Sequence, residues 1–315
     1  IMASDLERQR RIEERILTEE EFDVEVEGEL EDDDISVMAR ALARTTTLKV
    51  LDLSDNYAIG IGDAGVKLIV DALLSNPNCT VVTLNLRDNG IGLEGVKYLA
   101  DSISHSNCTL QTLNLRNNGI GADSISHSDC TLLTLDLRVN EIGPEGVKYL
   151  ADSISHSDCT LQTLDLGHNF IGLEGVKHLA DSISHSDCTL QTLNLGHNSF
   201  GDEGARHLAV SISHSNCALE TLKLDNCGIR DAGAEALADV MRYDNHTLKN
   251  ITLGQNLRIS RSLIEKIDRL VEINAESIGC SAAEVGKKKR AEYGPTVDEV
   301  YRFVRFNPHL LSSAD

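Results

Sequence analysis

Residues 160–188 read TLQTLDLGHNFIGLEGVKHLADSISHSDC, and this stretch decides the fold. Leu164 and Leu166 are two apart, so on a strand both face one side, while Thr163, Asp165 and Gly167 face the other. Ile171 follows as a further core residue, and Gly172 suits a turn with positive φ. Val176, Leu179, Ala180 and Ile183 then fall at i, i+3, i+4 and i+7, which is one apolar stripe along a helix. Glu174 stands near the start of that helix, where the dipole favours negative charge. One strand and one helix therefore fill 29 residues.

The same unit recurs along most of the chain. Units begin at Thr47, Thr80, Thr109, Thr131, Thr160, Thr189, Ala218 and Thr247, separated by 33, 29, 22, 29, 29, 29 and 29 residues. Self-similarity at this period means a stacked solenoid in which each unit buries its core against its neighbours. Alternating strands and helices make every strand parallel. Asn169 recurs as Asn56, Asn89, Asn118, Asn140, Asn198 and Asn256, and Cys227 replaces it once. An amide at that position is expected to satisfy backbone groups of its own repeat and the next. Pro144 stands in the first turn of its helix, where the missing N–H costs nothing.

Two units depart from the pattern. The first carries about three extra residues near Tyr57, Ala58 and Ile59. The third passes from Gly121 straight to Ala122, Asp123 and Ser124, seven residues short. Seven residues are two helical turns, so its strand should survive while its helix shrinks to about one turn. Ser-Ile-Ser-His-Ser recurs at 102–106, 124–128, 153–157, 182–186 and 211–215, a near-identity at helix positions read as exposed that points to recent duplication.

The consensus Leu-x-x-Leu-x-Leu-x-x-Asn-x-Ile-Gly-x-x-Gly-x-x-x-Leu-Ala resembles the ribonuclease-inhibitor-like class of leucine-rich repeats over residues 47–259. That class includes the repeat regions of Nod-like receptors and the Ran GTPase-activating proteins. The resemblance implies an α/β fold, a right-handed horseshoe with a parallel sheet on the concave face and helices on the convex face. It carries little about function, because the leucines are structural and the class binds unrelated things. Regulation of a small GTPase, or service as the sensor region of a larger receptor, are the alternatives it implies. The acidic stretch of the GTPase-activating family follows its repeats, whereas here acid precedes them.

Composition narrows the partners. Aromatics are only 3% of the chain and Trp is absent, so the core is aliphatic. Net charge is −21, which disfavours nucleic acid and anionic membranes and favours basic or neutral partners. No apolar run approaches the roughly 20 residues of a membrane span, and no signal peptide is read in the acidic start. The first residue is Ile, so an upstream domain is compatible with the sequence. Cys79, Cys108, Cys130, Cys159, Cys188 and Cys217 recur once per unit and read as buried, reduced thiols in a cytoplasmic protein, with the nucleus as second compartment.

The expected organisation is an acidic segment at 1–21, solvated helix or disordered; a degenerate capping repeat at 22–46; repeats at 47–259; a capping helix at 260–280; and a tail at 281–315. Residues 1–34 hold 15 acids against 4 Arg, about half of the net charge. Val24, Val26, Ile35, Met38, Ala39 and Leu42 outline the capping repeat, with an acidic turn that includes Asp34. In the tail, Lys287–Arg290 reads first as a solvated basic run and second as a nuclear-localisation signal.

The concave face is the candidate binding surface. Its central ladder is Asp52, Asn85, Asn114, Asp136, Asp165, Asn194, Lys223 and Thr252. The next is Ser54, Arg87, Arg116, Arg138, Gly167, Gly196, Asp225 and Gly254, with His168 and His197 at the strand exits. Three consecutive Arg suit bidentate contact with a partner's carboxylates, against the plainer reading that they screen the Asp row. Asp136 with Asp165 reads poorly as an acid–base pair, because an open face offers no burial to raise one pKa. The His-x-x-Cys pairs are spread along the ladder and do not converge on a zinc ion. The expectation is a monomeric, non-enzymatic protein-interaction scaffold without cofactor, metal, nucleic-acid or membrane partner.

Overall fold

The computed structural model describes residues 2–24, 30–56, 61–103, 105–121, 132–277 and 282–293. Nine three-residue strands form one parallel sheet in strict chain order: β1 (Glu21–Asp23), β2 (Val50–Asp52), β3 (Thr83–Asn85), β4 (Thr112–Asn114), β5 (Thr134–Asp136), β6 (Thr163–Asp165), β7 (Thr192–Asn194), β8 (Thr221–Lys223) and β9 (Asn250–Thr252). The helices are α1 (Met2–Thr18), α2 (Asp32–Leu42), α3 (Gly62–Ser75), α4 (Leu93–Ile103), α5 (Gly143–Ile154), α6 (Gly172–Ile183), α7 (Gly201–Ile212), α8 (Asp231–Tyr243), α9 (Arg261–Ala275) and α10 (Ala282–Tyr293). The result is an α/β solenoid with the parallel sheet on the concave side and helices on the convex side.

The repeat unit folds as its spacing requires. Leu164 and Leu166 are fully buried between β6 and α6, and Ile171, Val176, Leu179, Ala180 and Ile183 are buried with them. Register never slips: Leu51, Leu84, Leu113, Leu135, Leu164, Leu193 and Leu222 lie opposite one another in successive strands. A one-residue slip would turn this whole buried row toward solvent. Gly172 has φ +59° at the mouth of α6, and Pro144 occupies the first turn of α5.

The Asn row is a ladder, but it reaches backward and not to the next repeat. Nδ2 of Asn118 donates to Leu86 O of the preceding unit (2.9 Å) as well as to its own Leu115 O. Its Oδ1 accepts from Asn89 N (3.0 Å) and Ile91 N (3.1 Å), also of the preceding unit. Asn140, Asn198 and Asn256 accept in the same way from the unit before them. The step is absent at Asn169, whose Oδ1 has no partner among the described residues. At Cys227 a thiol donates to Leu195 O (3.2 Å) in place of the amide.

The Ser-Ile-Ser-His-Ser stretch is only partly a surface. Ser102, Ser153, Ser182 and Ser211 are buried, and their Oγ atoms donate to the carbonyl four residues back. Small residues are needed there because neighbouring helices pack closely. The His closes the turn that follows: Cys159 N donates to His156 O and Cys188 N to His185 O. Duplication and packing thus both keep the motif alike.

Both ends differ from the expectation. Acidic α1 is not solvated all round: Ile12 and Ile16 are fully buried against α2. Phe22 and Val24 take the places of Leu51 and Leu53 at the edge of the sheet. Asp34 is fully buried, paired with Arg8 (2.8 Å) and accepting from Glu31 N (2.9 Å) in a capping box. At the other end Lys287, Lys288 and Arg290 of the basic run are exposed, as expected, but Lys289 is not. The run lies in α10, and Lys289 is fully buried, its Nζ donating to Met241 O and to Asn245 O (2.6 Å) at the end of α8. An amphipathic lysine stem here brings its cation to the carbonyls that a helix C-terminus leaves unpaired.

The extra residues near Tyr57, Val26, and the shortened helix expected between 122 and 131 lie outside the described residues, as does Val297–Phe306. The strands on either side of the short unit do pair in register, Thr112 opposite Thr134. Among the described residues, no helix is long and apolar enough to cross a membrane.

Candidate binding face

Parallel pairing brings the outward residues of all nine strands into rows. Asp52, Asn85, Asn114, Asp136, Asp165, Asn194 and Lys223 stand side by side by register, each half-buried. Much of this row is tied to itself. Asn85 Nδ2 donates to Asp52 Oδ2 (2.8 Å), and Asn194 Nδ2 to Asp165 Oδ2 (2.9 Å). Each central residue also accepts from the backbone N–H two residues on: Ser54, Arg87, Arg116, Arg138, Gly167 and Gly196. Asp225 is consumed as well, accepting from Gly254 N and the Thr252 hydroxyl.

The three Arg are not equivalent. Arg138 pairs with Asp136 through Nε and Nη2 (2.6 Å) and reaches Asp165 (3.4 Å). Arg87 pairs with Asp55 and Asp88. Arg116 makes no ion pair and no side-chain hydrogen bond among the described residues, although it is only half-buried. Screening therefore accounts for two of the three, and one guanidinium keeps its fork of donors open. Lys223 likewise lacks a salt bridge among the described residues.

Asp136 and Asp165 do not behave as an acid–base dyad. Arg138 pairs with Asp136 and also reaches Asp165. Burial pushes Asp165 up, but the Asn194 amide, the Gly167 N–H and Arg138 oppose it. His168 and His197 stack with ring centroids 3.8 Å apart and planes 14° from parallel. The Asn226 amide meets His197 Nδ1 at 2.9 Å. Burial, His197 and Arg116 push His168 down, against Asp165. No group of three or more His, Cys, Asp or Glu among the described residues could hold a metal ion.

Of the six described cysteines, Cys159, Cys188, Cys217 and Cys227 are buried. Burial pushes Cys108, Cys188 and Cys217 up, and Cys227 up to about 12. The thiolate is the reactive form, so these sites are poor nucleophiles and poor metal ligands.

A family profile described as Leucine Rich repeat matches residues 45–70, 78–100, 106–126, 128–151, 157–180, 186–209 and 215–238, together more than half of the chain. The chain belongs to the leucine-rich-repeat family. No curated protein sequence matches it. Among solved structures, the yeast Rad7 and Elc1 complex contains a chain similar in fold at 17% identity and TM-score 0.53, over 74% of this chain and 55% of that one. The TLR13–ssRNA13 complex gives 19% identity and TM-score 0.44, over 74% and 33%. The internalin InlF of Listeria monocytogenes gives 18% and 0.42, over 76% and 68%. This leucine-rich-repeat chain thus spans about half of the first of these and a third of the second.

The sequence reading missed one feature of this face. Phe170 is three-quarters exposed, beside His168, and has φ +55°. The same column holds Gly90, Gly119, Glu141, Ser199 and Gly228, of which the three Gly and Ser199 also have positive φ. A bulky ring among small residues was the signal in the sequence.

Proposed function

We propose that the protein is a non-enzymatic interaction scaffold of the ribonuclease-inhibitor-like subtype, which holds an acidic segment of a partner protein against its concave face. Leucine-rich-repeat arrays are protein-interaction modules as a family, and the family match covers the units that build this face. A chain similar in fold was solved within the Rad7 and Elc1 complex. A unit of 29 residues with a helix of 12 supports the subtype.

The observation that carries the proposal is Arg116. Its two neighbours in the row are neutralised internally, while its own donors remain available for bidentate contact with a carboxylate. The proposed contact set is the row pair already described: Asp52, Asn85, Arg87, Asn114, Arg116, Asp136, Arg138, Asp165, His168, Asn194, His197, Lys223 and Asp225. Charge reversal at Arg87 or Arg138 would break internal pairs and confuse stability with binding. Arg116→Glu avoids that. In affinity capture followed by mass spectrometry, proteins held by the wild type should be lost on Arg116→Glu and kept on Arg206→Glu, an exposed change on convex α7. The same proteins on all three would refute the proposal.

A further inference from the structure

The strand exits form a rim along the sheet, and one part of that rim is built against local preference. Bulky residues rarely adopt left-handed backbone, and such strain persists chiefly where it serves a site. Phe170 sits there at φ +55°, in the column that glycine fills in Gly90, Gly119 and Gly228, and three-quarters of it is exposed. The ring therefore contributes little to the core while holding an unfavourable backbone.

Its neighbours in the same column are Glu141 and Ser199, both exposed. His168 (φ +58°) and His197 (φ +62°) stack on each other two columns away, and the Asn226 amide pins His197. Below them Gly167 and Gly196 are buried, and the side chains of Arg138, Asp165 and Asn194 close over the place where a Cβ would stand. Arg116, at the exit of β4, stands two strands from His168 at the exit of β6 and makes no ion pair among the described residues.

We infer that Phe170, the His168–His197 stack and Arg116 form the anchor site for a partner segment that pairs a large apolar side chain with a carboxylate. The inference rests on the concave-face proposal and names the chemistry it would read. The apolar group covers Phe170 and the imidazole faces, and the carboxylate meets Arg116. Exposed aromatics and Arg are the residue types that carry most binding energy at protein interfaces.

The test uses the full chain and a phage-displayed library of random 12-residue peptides. Peptides selected on the wild type should combine Asp or Glu with a large apolar residue. Each should weaken at least tenfold on Arg116→Glu and on Phe170→Gly. Phe170→Gly should also raise the urea midpoint or leave it unchanged, because glycine tolerates this backbone. Phe170→Asn, also at home in left-handed backbone, should lose the peptides equally. Peptides that need Arg116 but ignore Phe170 would overturn the anchor and leave the concave face standing. Peptides indifferent to both would overturn both readings. A lowered urea midpoint in both Phe170 variants would show that the ring supports the fold, and would equally overturn the anchor.

Discussion

Replacing Cys227 by Asn should stabilise the protein. Everywhere else that the Asn ladder is complete, an amide Oδ1 accepts two N–H groups of the unit before it, as Asn256 does from Cys227 and Ile229 at 3.0 Å each. At this step the Asn198 N–H faces a sulfur, a weak acceptor. The thiol does supply one donor, to Leu195 O. Asn would supply two, to the carbonyls Leu195, Leu224 and Asp225, and would add the missing acceptor. A net hydrogen bond contributes about 0.5–1.5 kcal/mol, so two gained against one weak bond lost predicts about 1–2 kcal/mol. With a urea slope of about 3 kcal/mol/M, the midpoint rises by roughly 0.5 M. Circular dichroism in a urea series measures it, at fixed slope. The converse change, Asn198→Ala, strands Asn169 N and Ile171 N and should cost about 3 kcal/mol. A Cys227→Asn protein no more stable than wild type, alongside a harmless Asn198→Ala, would refute the ladder as a source of stability.

Other outcomes follow from the ends and the close approaches. Burial holds Lys289 down to about 8, only partly offset by Asp244. Between that value and the ordinary 10.5 the unfolded chain binds the proton and the folded one does not, so stability rises with pH across this window. Wild type should therefore gain on Lys289→Met by up to about 3 kcal/mol from pH 8 to 10.5, read as the difference between paired urea curves; a constant difference would contradict the buried cation. A Cβ on Gly233 would stand 2.9 Å from Asp202 Cα, so Gly233→Ala should lower stability by about 1–2 kcal/mol despite its better helix propensity. Thermal melts will show whether it does. Thiol titration should leave Cys159, Cys188, Cys217 and Cys227 silent in buffer and reveal them in denaturant; their rapid reaction in buffer would mean that the units open readily.

The repeats were legible because their two periods differ. Leu164 with Leu166 shows a spacing of two, and Val176 through Ile183 a spacing near 3.6, and neither is satisfied by the other's geometry. Depth was less legible than pattern. Lys287–Arg290 looks solvated because charge is local, whereas the burial of Lys289 depends on α8 and α9 meeting α10 from 44 to 48 residues away in the case of α8. Asp34 was hidden likewise by its partner Arg8 on α1. The Arg row could be read as a row, but which member stays unpaired depended on Asp55 and Asp88 lying beside Arg87 and on none lying beside Arg116. The ladder was visible in Asn169 and its copies, but its direction was not, since an amide has both donors and an acceptor.

That direction has a consequence for how the protein is made. Asn118, Asn140, Asn198 and Asn256 each supply the acceptor for N–H groups of the unit before them. A ribosome delivers units in chain order, so a newly emerged unit always waits for the next one to complete it. The growing rod carries its unfinished face at the tip nearest the tunnel, and the finished part trails behind. Pausing within one unit leaves only one such face open, and in the last unit Asn256 N turns instead to its own Leu253 O.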